Sequence, residues 1–230
     1  MRFVALIVAA VAALFALPAS AQYVAGPSGR TAPPATTDKD NLWLLDLSTG
    51  GRVTIWLRPD VAPKHVERIK ELTRRKFYDG LIFHRVIDGF MAQGGDPKGD
   101  GTGGSDLPNL PSEFNYLPHV RGAVSAAREG APDSATAEVK KKAEDSANSQ
   151  FFIMLQPRLQ LDQKYSVFGR VIDGMQYVDA IPRGEPPTQP ARILHAYIAS
   201  DNPPPYTAAA APAPVADPDA PVALPSKPTP

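Results

Sequence analysis

The chain has 230 residues, of which 43% are hydrophobic and 21% charged, which suits one domain with a buried core and some extensions. Lys plus Arg and Asp plus Glu both number 24, so the net charge is zero and gives no attraction to nucleic acid or to an anionic membrane. The absence of cysteine from the sequence excludes disulfides and lipidation of a thiol.

Residues 1–21 have the pattern of a signal peptide. Arg2 provides a positive charge, residues 4–17 are apolar, and residues 19–21 are small, as a signal peptidase requires. An uncleaved membrane anchor is the alternative, but the apolar run is shorter than the ~20 residues that span a bilayer. We expect cleavage after Ala21 and export, to a periplasm or, as the alternative, out of the cell, with no membrane association afterwards.

Two proline-rich segments flank the predicted domain. Residues 22–38 are interpreted as a flexible lead-in. The tail, residues 201–230, is rich in Pro and Ala and contains ten prolines, so we expect disorder with polyproline II character. It could be a solvated tail, a linker, a spacer or a docking segment. The folded domain is therefore predicted over residues 39–200.

The first half of this domain contains two predicted hairpins and a helix. Residues 41–47 and 53–57 are apolar runs on either side of a Gly-Gly turn, which predicts that they pair as strands. Pro63 opens a segment with apolar residues at helical spacing, which predicts a helix packed on the sheet. Residues 81–94 predict a second hairpin that turns on the two residues Asp88-Gly89.

The second half of the domain adds four short β-like runs and one more helix. The polar interval 126–149 is interpreted as a long solvated loop with at most one helical turn, and residues 175–181 as a second helix. About eight short antiparallel strands favour a closed barrel or a sandwich, since both limit exposed edges. The four runs cover residues 122–127, 151–155, 165–172 and 191–199.

Several site chemistries find no support in the sequence. The glycine-rich stretch 94–104 lacks the Lys-Ser/Thr ending of a phosphate-binding loop. Read as a calcium loop from Asp96, it places Lys98 and Leu107 where oxygen ligands are required. The four histidines are far apart, and no Gly-x-Ser-x-Gly motif frames a nucleophile. We therefore predict neither a metal nor a cofactor.

One run stands out, FHRVIDGFMAQGGD at residues 83–96. It resembles the signature of the cyclophilins almost position for position. NSQFFI at residues 148–153 resembles a second signature of that family, as do the Leu-Asp pair at 161–162, VFGRV at 167–171 and FYDG at 77–80. Among cyclophilins the chain is most similar to exported bacterial members.

The resemblance implies a mainly β fold, a closed eight-stranded antiparallel β-barrel capped by two α-helices. It also implies a peptidyl-prolyl cis/trans isomerase that acts on X-Pro bonds in proline-containing segments of exported, partly folded proteins. No cofactor and no covalent intermediate are implied, and we expect a monomer. Two alternatives stay open: a proline-peptide binding module or holdase with little turnover, and a docking protein whose functional part is the Pro/Ala tail.

The resemblance also assigns ten site residues. Arg85 is expected to be the catalytic guanidinium, which donates to the proline carbonyl and towards the amide nitrogen. The other nine would bind the peptide: Phe90, Met91, Phe152 and Leu161 as the proline pocket, Gln93 and Gln150 through their side-chain amides, Ala127 and Arg128 through backbone groups, and Tyr165 as an aromatic wall in place of the histidine often found there. The two glutamine amides are also expected to orient the arginine.

Strand alternation tests part of this assignment. It places Met91 and Gln93 on one face but Phe90 on the other, so the role of Phe90 requires a turn or a bulge that redirects it. It also places Gln150 and Phe152 on a common face. The charged stretch 129–147 includes an insertion of roughly a dozen residues relative to the short eukaryotic form, according to the same resemblance, and its role is not predicted.

Overall fold

Short strands and three helices account for most of the regular structure in the computed structural model, which describes residues 38–207. The strands are β1 (Leu42–Leu47), β2 (Gly51–Leu57), β3 (Arg85–Ile87), β4 (Met91–Gly94), β5 (Ala123–Ala126), β6 (Phe151–Met154), β7 (Val167–Asp173) and β8 (Ile193–Ile198). The helices are α1 (Pro63–Arg74), α2 (Ala137–Glu144) and α3 (Met175–Asp179). The eight predicted strands and the helices predicted near Pro63 and over 175–181 are thus present.

The predicted signal peptide, nearly all of the lead-in and residues 208–230 of the tail lie outside the described residues. Within residues 38–207, no helix is long and apolar enough to cross a membrane. The start of the tail contacts the domain: Arg52 donates from Nη2 to the Pro204 carbonyl at 2.9 Å, and the Tyr206 hydroxyl lies 3.4 Å from the Leu47 carbonyl. Both contacts lie beyond residue 200, where the sequence placed the end of the folded domain.

The eight strands form one antiparallel sheet in the order β3-β4-β6-β5-β7-β2-β1-β8. The sheet is a curled half-barrel rather than the predicted closed barrel, because β3 and β8 are the two ends of the ladder and do not pair with each other. Three backbone hydrogen bonds instead join the irregular chain at residues 80–83 to residues 191–193. Four prolines in residues 182–190 lack the N–H that a continuous strand would need there.

The turn of the second hairpin has three residues rather than the predicted two. Ile87 pairs with Met91, so Asp88, Gly89 and Phe90 form the loop. Gly89 has a positive φ of 61°, which a glycine adopts at little cost. Phe90 therefore belongs to the loop and not to β4, and its side chain need not follow the alternation along the strand.

Helix α2 corrects the expectation of a solvated loop over 126–149, and it raises the number of helices from two to three. The Thr136 side chain caps the helix by accepting from the Val139 N–H. Lys141 and Asp145 form an ion pair one turn apart at 2.9 Å. The segment has no apolar stripe, because Ala143 is its one buried residue, so hydrophobic periodicity could not reveal the helix.

The two faces of the sheet bury different clusters. The larger core packs Phe151 edge-to-face against Trp43 at 5.0 Å, Tyr78 at 5.9 Å and Phe83 at 6.3 Å between ring centroids. On the opposite face a smaller cluster forms around Phe152. Because side chains alternate along β6, the adjacent residues Phe151 and Phe152 lie on opposite faces of the sheet and in different clusters. The smaller cluster consists of Met91, Ala123, Phe152, Met154 and Val167.

Candidate active site

The register of three strands aligns polar and aromatic side chains on the face of the smaller cluster. Arg85 on β3 pairs with Gln93 on β4, and Gln93 pairs with Phe152 on β6. Directly paired residues in an antiparallel sheet lie on the same face with their side chains in contact range. A guanidinium, an amide and an aromatic ring thus form one row across the sheet.

This row borders a cavity of about 120 Å³. The cavity is smaller than the roughly 300–1,000 Å³ of sites that take a drug-sized ligand, so it suits a single small ring. Nine of the ten predicted site residues line it: Arg85, Phe90, Met91, Gln93, Ala127, Arg128, Phe152, Leu161 and Tyr165.

The apolar wall of this cavity is well ordered by packing. Met91 and Phe152 are almost completely buried, and the Tyr165 ring meets the Phe152 ring edge-to-face at 5.5 Å. Phe90 reaches the same cavity from the hairpin loop. The Arg158 guanidinium holds that loop, because it donates to the Gly89 carbonyl at 3.0 Å and lies 5.8 Å from the centroid of the Phe90 ring.

Two arginines, Arg85 and Arg128, line the cavity, and Arg85 provides its charge on the β3 side. Its side chain is 40% exposed, so the guanidinium lies at the rim rather than inside the core. Arg85 Nε donates to Glu185 Oε2 at 2.7 Å. An exposed guanidinium avoids the large desolvation cost of a buried unpaired charge while it still faces the cavity.

Gln150 is the predicted site residue that the structure does not place on this cavity. It lines a second, neighbouring cavity of about 460 Å³, which shares Gln93, Ala127 and Arg128 with the first. Gln93 Nε2 donates to Gln150 Oε1 at 2.9 Å, and Gln150 Nε2 donates to the carbonyls of Gly101 and Gly103. Gln150 therefore links the row of site residues to the glycine-rich loop.

That glycine-rich loop is organised by Asp96. The buried Asp96 carboxylate accepts from the backbone N–H groups of Lys98, Asp100 and Gly101. Its Oδ1 lies so close to Gly103 that a Cβ there would come within 2.0 Å. Among residues 38–207, no group of three or more His, Asp or Glu side chains could hold a metal ion.

Ala127 and Arg128 form the boundary between the two cavities. The Ala127 N–H donates to the Gln150 carbonyl at 2.9 Å, which continues the pairing of β5 with β6 by one residue past Ala126. The Arg128 guanidinium donates to the backbone carbonyls of Lys164 and Glu129. It also lies 4.6 Å from the centroid of the Tyr165 ring, which it helps to hold in place.

His119 supports the apolar wall and was not found from the sequence. Its ring is fully buried and lies nearly parallel to Phe152, with centroids 6.1 Å apart. Nδ1 donates to Asp162 Oδ1 at 2.8 Å. Burial lowers the pKa of His119, and the Asp162 carboxylate opposes that shift only in part. His119 and Asp162 are 43 residues apart, so no local motif could have predicted their pairing.

Comparison with known proteins identifies the class to which this fold and site belong. Residues 44–198 match the family described as "Cyclophilin type peptidyl-prolyl cis-trans isomerase/CLD". The chain therefore belongs to the cyclophilin-type peptidyl-prolyl cis-trans isomerases. A probable peptidyl-prolyl cis-trans isomerase of Brucella suis is 42% identical over 199 residues, which cover 80% of this chain and 95% of that protein. Peptidyl-prolyl cis-trans isomerase B of Bacillus subtilis is 36% identical over 140 residues, 60% of this chain and 89% of its own.

Solved structures agree with this assignment. The cyclophilin AquaCyp293 from Hirschia baltica matches with a TM-score of 0.61 and 30% identity, over 71% of this chain and 76% of that one. A cyclophilin type peptidyl-prolyl cis-trans isomerase from Cryptosporidium parvum, crystallised in the presence of the dipeptide Ala-Pro, matches with a TM-score of 0.59 and 26% identity, over 68% and 98% of the two chains.

The lowered pKa of His119 predicts a dependence of stability on pH. The unfolded chain protonates this histidine near its ordinary pKa of about 6.5, whereas the folded chain does so only at lower pH. Stability is therefore fully present above about pH 6.5 and falls as the pH is lowered below it. In His119→Asn, which keeps a donor for Asp162 but cannot take up a proton, the free energy of unfolding in urea should fall less between about pH 7 and pH 5 than in the wild type.

His195→Asn is the matched control, because the His195 ring is 57% exposed. The comparison shows whether the loss of any one histidine changes the pH dependence of stability or only the loss of His119. The pKa of His84 is also lowered by burial. The free energy of unfolding should therefore still fall somewhat with falling pH in both variants. If the curve of His119→Asn ran parallel to that of the wild type, His119 would not be the group responsible.

Proposed function

We propose that the cavity beside Arg85 isomerises X-Pro peptide bonds in proline-containing segments of exported, partly folded proteins. The chain is a cyclophilin-type enzyme by family. The observation that supports this assignment within the chain is that one small cavity combines an apolar wall with a guanidinium at its rim. The proposal includes neither a cofactor nor a covalent intermediate.

The chemistry of the X-Pro bond defines what such a site must do. Cis and trans forms differ by only about 0.5–1 kcal/mol, but amide resonance separates them by a barrier of roughly 20 kcal/mol. When the bond twists, resonance is lost and the lone pair localises on the nitrogen. A catalyst must therefore bind the twisted amide more tightly than the planar one. Lowering the barrier by about 7 kcal/mol would accelerate the exchange roughly 10⁵-fold.

The cavity offers groups suited to each part of that task. Met91 and Phe152 can hold the proline ring by apolar contact, while the Gln93 amide beside them can orient the peptide. Arg85 can donate to the proline carbonyl and towards the amide nitrogen as its lone pair appears. A guanidinium stays charged throughout the neutral pH range, so no proton has to move during the step.

Replacement of Arg85 by alanine tests this mechanism. Arg85→Ala should lower kcat/KM on a short Ala-Pro peptide by about 10²- to 10³-fold, because the donor to the twisted amide is lost. The measurement is a protease-coupled assay that detects the trans isomer. Stability should change little, since the residue is partly exposed and its ion pair lies at the surface.

Arg75→Ala is the matched control, because Arg75 is 42% exposed and donates from Nη2 to Asp106 at 2.6 Å on another part of the surface. It should keep wild-type turnover. Turnover of Arg85→Ala equal to that of the wild type would contradict the mechanism. An undetectable rate for both proteins, with peptide binding retained, would favour a binding module or holdase.

Export is a separate part of the proposal and is supported by the signal-peptide pattern of residues 1–21. When the full chain is expressed in a bacterium with two membranes, the periplasmic fraction should contain a protein whose N-terminus, read by sequencing, is Gln22. A membrane-bound protein that retains residues 1–21 would instead indicate an anchor, and a cytoplasmic one would show that the segment does not direct export.

A further inference from the structure

Arg85 has one side-chain hydrogen bond within residues 38–207, and its partner is Glu185. Arg85 Nε donates to Glu185 Oε2 at 2.7 Å, and both side chains are about half exposed, at 40% and 51%. Glu185 is 100 residues further along the chain and does not line the cavity. Its carboxylate therefore contacts the guanidinium without lining the surface that a proline would meet.

The backbone holds Glu185 firmly against β3. Val86 and Gly184 exchange two backbone hydrogen bonds, both of 2.8 Å. Gly184 has a φ of 148°, and a Cβ at this position would lie 2.6 Å from the Pro187 Cα, so the turn into Pro186 and Pro187 requires glycine here. One residue earlier, Arg183 pairs with Asp88 at 3.1 Å. Residues 183–185 thus follow the outer edge of β3, with an ion pair on either side of the backbone bridge.

We propose that Glu185 is a positioning residue that fixes the orientation of the Arg85 guanidinium for catalysis, an inference that depends on the catalytic role proposed for Arg85. A guanidinium has five N–H donors, and Glu185 takes the one on Nε. The four donors of the two terminal NH₂ groups remain available to a substrate. A long, partly exposed arginine would otherwise sample several rotamers.

The carboxylate has two effects on Arg85 that act in opposite directions. It accepts the Nε–H and so holds the side chain, but it also offsets part of the positive charge that would stabilise the twisted amide. Substitutions separate these effects. Glu185→Gln keeps an oxygen acceptor and removes the charge, whereas Glu185→Ala removes both.

If positioning dominates, Glu185→Ala should lower kcat about fivefold with KM within about twofold of the wild type, because the loss affects the twisted amide more than ground-state binding. Glu185→Gln should retain more than half of the wild-type kcat. A higher kcat in both variants would show that the carboxylate mainly reduces the charge of Arg85, and this would overturn the proposal.

Asp88→Asn is the matched control, because it removes the other ion pair on the same edge without a contact to Arg85. It should keep the wild-type kcat. A loss equal to that of Glu185→Ala would mean that either pair merely fastens the segment to β3, and the positioning role would be rejected.

A double-mutant cycle separates this inference from the proposed function. Once Arg85 is alanine, Glu185→Ala should have no further effect on turnover, since Glu185 acts through the guanidinium. A further fivefold loss in that background would contradict the inference while leaving the role of Arg85 intact. Full activity of Arg85→Ala alone would instead contradict the proposed function.

Discussion

The cross-strand register of β3, β4 and β6 is the constraint on which the site depends. Val86, Ala92 and Ile153 form a row that is buried in the larger core. The neighbouring row, Arg85, Gln93 and Phe152, must then face the other way. A slip of one residue would exchange the rows and bury a guanidinium and an amide. Burial of the apolar row therefore determines the face of the sheet on which Arg85, Gln93 and Phe152 lie.

Side chains from distant parts of the chain contact the row that the register forms and support it. Gln150 connects the row to the glycine-rich loop, His119 supports the Phe152 ring, and Glu185 holds the guanidinium. None of these three lines the proline-sized cavity. The site thus consists of a rigid row of side chains whose supports come from loops and from a segment that follows the edge of β3.

The sequence could predict which side chains line the cavity, and Gln150 beside it, but not the supports His119 and Glu185. The signature around Arg85 and alternation along β4 placed Met91 and Gln93 on one face, as the structure has them. Alternation also raised a conflict over Phe90, which a three-residue loop resolves because it takes Phe90 out of the strand. Pairings such as that of Arg85 with Glu185, 100 residues apart, have no local pattern in the sequence.

The solvated loop over 126–149 and the closed barrel were wrong predictions about the fold, and in both cases no local pattern in the sequence carried the missing information. Helix α2 has no apolar stripe, so it depends on a threonine cap and on charged helix formers rather than on periodicity. The closed barrel was expected because of the family resemblance, but whether the two end strands of the sheet, β3 and β8, pair with each other depends on the backbone of the proline-rich residues 182–190. Strand count could not decide that point, since a curled open sheet and a closed barrel share the same eight strands.

The central claim is that the proline ring occupies the cavity between Met91 and Phe152 while Arg85 acts on the amide. The most direct test is NMR of the full chain with a short Ala-Pro peptide, measuring nuclear Overhauser effects from the proline ring protons under conditions of catalysed exchange. If the proline ring occupies this cavity, its protons should show contacts to the Met91 methyl group and the Phe152 ring. Catalysed exchange with contacts only elsewhere, for example to the exposed Pro63 on helix α1, would contradict it.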